Sequence, residues 1–68
     1  MKEFEVFLKN AIEKKNEHNS VNFMLIEPND RAIIDKLKND GLIENIRYIG
    51  MGAVGFDITY DGLHYFDD

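Results

Sequence analysis

The sequence contains no cysteine. Disulfide cross-links and thiolate metal sites are therefore excluded. Small secreted domains usually depend on such staples, so their absence leads to the expectation of a cytoplasmic protein. Long apolar runs are also missing. The longest, Phe23-Met24-Leu25-Ile26, falls far short of the roughly 20 residues that span a bilayer, and no membrane segment is expected. The opening Met1-Lys2-Glu3-Phe4-Glu5 has early acidic residues and no apolar run of signal-peptide length. Basic residues are few: 8 against 13 acidic, a formal net charge of -5. That balance disfavours nucleic acid and anionic membrane surfaces as partners. Hydroxyl nucleophiles are limited to Ser20 and Thr59, and imidazoles to His18 and His64. Both hydroxyls have ready capping or turn roles. No His-x-x-His or Glu-x-x-His pair is present to give metal-ligand spacing. No apolar setting is evident that would raise the pKa of a carboxyl group. No enzyme, cofactor, metal or small-molecule substrate is expected.

The chain has 68 residues, which makes one domain over 1–68. A chain of this length buries only roughly 60% of its unfolded surface, so the core is thin. The lone Pro28 and the glycines at 41, 50, 52, 55 and 62 punctuate it. Residues 2 to about 17 read as an amphipathic helix, because Phe4, Phe7, Leu8, Ala11 and Ile12 recur at the spacing of one helical face. Val6 falls off that stripe, either as an isolated exposed residue or as part of a second contact surface. Residues 21–26 are ambiguous. The alternation of Val21, Phe23 and Leu25 allows a strand, while Ser20 could equally cap a short helix. Pro28 opens a second helix whose buried face is Ala32, Ile33, Ile34 and Leu37. Gly41 ends it with the positive φ of a C-cap.

Residues 44–49 and about 53–58 read as two strands joined by a tight turn at Gly50-Met51-Gly52. That glycine-rich turn lacks the following Lys-Ser/Thr and the helix of a phosphate loop. Thr59 is placed to N-cap a last short helix, with Leu63 and Phe66 turned together toward the core. Asp67 and Asp68 put negative charge at the end of that helix, where fraying is expected.

The segment Leu37-Lys38-Asn39-Asp40-Gly41-Leu42-Ile43, followed by the hairpin and then Ile58-Thr59-Tyr60-Asp61-Gly62-Leu63-His64-Tyr65-Phe66, resembles the back half of a winged-helix domain. The pattern is similar to that of small phage, prophage and low-GC Gram-positive bacterial proteins. The resemblance covers about residues 28–68 well and residues 1–27 loosely. It implies an α+β, winged-helix-like fold: two long helices, a β-hairpin wing, a short C-terminal helix, and a short or strand-like element at 21–26. It also raises the expectation of a DNA-binding regulator, with Arg31, Lys36 and Lys38 on the recognition helix and Arg47 on the wing. Against that, the helix is neutral, since Asp30, Asp35 and Asp40 balance its three cations, and the wing tip carries Met51. The surplus of aromatic and apolar residues over what a small core can hold points elsewhere. The leading expectation is a non-catalytic module that meets a protein partner or a second copy of itself through Tyr48, Met51, Val54 and Tyr65.

Overall fold

The computed structural model describes residues 1–67; the expectation for Asp68 falls outside the described residues. Helix α1 spans Glu3–His18 and turns the expected stripe inward. Phe7, Leu8 and Ala11 are buried, and Phe4 and Ile12 pack against them. At its start the Glu5 carboxylate accepts the Lys2 backbone N–H at 3.0 Å, which satisfies a donor that the helix itself leaves free. Asn19 ends the helix in the left-handed region, at φ 64.

Residues Val21–Leu25 are strand β1, which settles the ambiguity there. Helix α2 follows at Asp30–Asn39, then strands β2 (Ile43–Ile49) and β3 (Ala53–Ile58) and the short helix α3 (Tyr60–Leu63). The fold is α+β: helices with one three-stranded antiparallel sheet in the order β1-β3-β2. The central strand is thus the last to be made. Its residues 54, 56 and 58 meet Phe7, Leu8, Ile34 and Leu37 in the core.

Both edge strands carry a bulge. From Val21 to Met24, β1 has one residue more than the facing stretch from Phe56 to Val54. From Glu44 to Arg47, β2 has one more than Asp57 to Gly55. A bulge breaks the two-residue alternation of side chains. In β1, therefore, Val21 is buried, Phe23 and Leu25 are exposed, and Met24 and Ile26 turn partly inward. In β2 the bulge contains Asn45 at φ 54. Its side-chain amide donates to Asp57 at 2.8 Å, and its carbonyl accepts from Arg47 at 2.8 Å.

Helix α2 closes with two nested hydrogen bonds, Gly41 N–H to the Lys38 carbonyl (3.0 Å) and Leu42 N–H to the Leu37 carbonyl (2.9 Å). This is the Schellman arrangement, which needs the left-handed conformation that Gly41 adopts at φ 75. Thr59 ties α3 to the same point. Its Oγ1 donates to the Gly41 carbonyl at 2.7 Å and accepts from Gly62 N–H at 3.0 Å. Thr59→Ala removes both and is expected to lower unfolding free energy by about 1–2 kcal/mol, read as a lower urea midpoint with an unchanged slope.

Three packing expectations are corrected. Ala32 is exposed, because α2 buries Ile34 and Leu37 and half-buries Ile33, one turn face narrower than expected. Leu63 packs against the core but Phe66 remains outside. The chain leaves helical geometry after Leu63, so a three-residue spacing no longer brings the two together. Helix α2 also starts at Asp30 rather than at Pro28, which instead lies in the preceding turn.

Candidate functional site

An open groove of about 580 Å³ lies where the first turns of α1, the end of β1 and the start of α2 converge. Val6, Met24, Leu25 and Ile33 are its apolar walls. Each is there for a local reason. Val6 lies off the core stripe of α1, so it faces outward when Phe7 and Leu8 turn in. The β1 bulge directs Leu25 to solvent, leaving it 76% exposed. Ile33 stands at the margin of the narrow core face of α2.

Acidic groups come from two elements: Glu3 on α1, and Glu27 and Asp30 around the start of α2. Asp30 accepts the Glu27 backbone N–H at 2.8 Å, which holds this corner in place. None of the side chains that line the groove is basic.

The expected partner residues divide between two ends of the sheet. Met51 is 91% exposed at the hairpin tip, and Tyr48 is exposed two residues before that turn. Both lie at the end of the sheet where Leu25 pairs with Ala53. Tyr65 follows α3, beyond the other end of β3, and packs edge-on against Phe4 in the first turn of α1. Val54 is corrected outright. It is fully buried in the central strand between Met24 and Tyr48, so it offers no side chain to a partner. Sequence reasoning missed Met24, Leu25 and Ile33 as groove residues. The off-stripe position of Val6 was the one legible signal.

The four expected DNA contacts are mostly occupied within the chain. The Arg31 guanidinium lies over the Tyr48 ring, 4.3 Å from its centre. Lys36 pairs with Asp40 at 3.2 Å and stands 4.7 Å from the centre of the Phe4 ring. Arg47 is bonded to the Asn45 carbonyl. Lys38 is exposed on the outer face of α2.

The phenol of Tyr65 has its pKa raised above the ordinary tyrosine value, by loss of solvation first and then by the neighbouring Glu5 carboxylate. Both disfavour phenolate. The folded pKa exceeds the unfolded one, so this contribution to stability is present below the unfolded pKa and is lost as the pH rises through the folded one. In an ultraviolet titration a component belonging to Tyr65 is expected above the ordinary tyrosine range. Tyr65→Phe should remove that late component and Glu5→Gln should bring it down. A late component that survives Tyr65→Phe would contradict the assignment.

Among the described residues, no group of three or more His, Asp or Glu side chains could hold a metal ion. No helix among them is long and apolar enough to cross a membrane. His64 is on the surface, bonded to Asp67 and tilted against the Tyr60 ring. Comparison with protein-family models, curated proteins and solved structures finds no match for the chain.

Proposed function

We propose that this chain is a non-catalytic module that binds another protein. One observation carries the reading: in the groove the exposed Val6 and Leu25 stand beside the half-buried Met24 and Ile33, apolar surface that the chain's own core covers only in part. Burying such surface contributes about 25 cal/mol per Å², the usual driving force of association. The groove is open, with Leu25 projecting into solvent, a shape suited to a partner's side chains rather than to an enclosed small ligand. Tyr48 and Met51 are exposed at the same end of the sheet, and both residue types are favoured in interfaces.

The absence of cysteine makes a direct test straightforward. Leu25→Cys and Asp61→Cys, each labelled with a photo-activated cross-linker, place the probe at the groove and on α3. A defined protein adduct is expected from Leu25→Cys, weakened by adding Val6→Ser, and none from Asp61→Cys. Adducts of equal yield at both positions, or at neither, would contradict the reading.

A second reading is a winged-helix DNA-binding regulator. It is supported by the element order of helix, strand, helix, hairpin and short helix. It is weakened by the single helix between β1 and β2 and by the internal engagement of Arg31, Lys36 and Arg47. With three of the four expected contact residues engaged inside the chain, phosphate neutralisation there contributes little affinity. Random duplex in a low-salt gel-shift titration is expected to run unretarded. Retardation that Lys38→Ala and Arg47→Ala each weaken would favour DNA instead.

A further inference from the structure

We infer that the groove takes a basic amphipathic helix, a segment with one apolar stripe flanked on both sides by lysine or arginine. The inference rests on the protein-binding reading above and specifies the chemistry of the partner. The first argument is charge complementarity. Among the lining residues three carboxylates, Glu3 from α1 and Glu27 and Asp30 from the start of α2, stand with the apolar side chains and with Asn10 and Asn29, and no side chain there is basic. Carboxylates contributed by two separate elements around apolar side chains match an apolar stripe with cationic flanks, as in the helix-in-groove mode of recognition. Rim charges of this kind steer encounter and reject partners of like charge.

The second argument excludes other occupants. A second copy of the chain brings its own net charge of -5 against the same carboxylates, so self-association works against repulsion. An extended peptide added to the free edge of β1 needs regular backbone pairing. The bulge between Val21 and Met24 interrupts that edge, a feature that discourages strand addition. A helix makes no demand on the edge, because its backbone groups are already satisfied internally.

The test uses the whole chain, isotope-labelled on its methyl groups, titrated with three model peptides of about 15 residues, roughly 22 Å as a helix. One is a leucine–lysine peptide with leucines at helical spacing. The second has glutamate in place of lysine. The third is the first with its order scrambled. The amphipathic leucine–lysine peptide is expected to shift the methyl signals of Val6, Met24, Leu25 and Ile33, and the other two to leave them in place.

Glu27→Lys should weaken that binding about three- to tenfold, and Leu25→Ser about tenfold or more. Equal shifts from the glutamate peptide would overturn the basic specificity while leaving the protein-binding reading intact. Equal shifts from the scrambled peptide would reduce the effect to bulk charge attraction and overturn the helix. If no peptide moves these signals, the groove assignment is overturned. The cross-linking experiment above then decides separately whether any protein binds.

Discussion

Replacing Gly62 by alanine is expected to unfold most of the protein, although the position is helical and alanine is the better helix former. Helix propensity alone would favour the change by about 1 kcal/mol. Packing decides against it. A Cβ at position 62 would overlap the carbonyl oxygen of Leu42 and would lie 3.0 Å from the carbonyl carbon and 2.8 Å from Cγ2 of Ile58. The isoleucine methyl could move, but the Leu42 backbone is held from both sides. Its N–H closes the α2 cap on Leu37, and its carbonyl accepts the Thr59 N–H at 3.1 Å. Relieving the overlap requires breaking the end of α2 or lifting α3 away. We expect a loss of about 3 kcal/mol or more. A domain of this size has only about 3–5 kcal/mol to lose. The measurement is a urea titration followed by far-ultraviolet circular dichroism. A midpoint equal to that of the parent would show that α3 does not dock against Leu42 as described.

Phe56→Ala is expected to have a comparable effect by a different route. Phe56 is 1% exposed, in the middle of the central strand, paired with Val21 and stacked on Phe7 at a ring separation of 6.3 Å. It therefore joins α1 to both the first and the last strand. Truncation removes a large apolar side chain and leaves a cavity among residues fixed by three elements, at a loss of about 3–5 kcal/mol. Phe56→Leu keeps most of the volume and should remain folded with a lowered midpoint. The control is Leu25→Ser, at an exposed groove position, where a change within about 0.5 kcal/mol is expected. Equal losses at positions 56 and 25 would mean that the groove is part of the core and would remove the basis for binding.

The two mutations together separate what holds the fold from what the fold presents. Gly62 and Phe56 lie where distant parts of the chain meet. The groove residues Val6 and Leu25 can change without disturbing either meeting point, which leaves the binding surface open to substitution in the tests above.

The elements that were legible in the sequence are those with a local cause. The α1 stripe runs from Phe4 to Ile12, about two helical turns, and its inward residues are the expected ones. Gly41 stands where a helix must end in the left-handed region, and Thr59 supplies the side-chain oxygen that α3 lacks at its first turn. Each is readable because the physical requirement is met by neighbours within a few residues. The candidate site was legible only in part. Met51 is exposed because a tight hairpin leaves its tip nowhere to pack, and Val6 is exposed because it lies off a helical stripe.

Tertiary structure decided the rest. Residues 21–26 carry too short a pattern to choose between helix and strand, and β1 exists because β3 satisfies its backbone groups. Val54 looked available to a partner because nothing local marks a strand as central. It is buried because β1 and β2 both pair with β3. The bulges set which of Phe23, Met24 and Leu25 face outward, and a bulge is fixed by the partner strand's register rather than by the residues it displaces. The acid-bordered groove itself is made by residues from α1, β1 and α2 that are distant in sequence. The sequence by itself determined the helices, the hairpin, their caps and the excess of negative charge, because those depend on near neighbours and on composition. Only the packing of β1 onto β3 and of α1 beside α2 decided where the uncovered apolar surface and its acidic border would lie, because a surface is defined by which distant segments fail to cover one another.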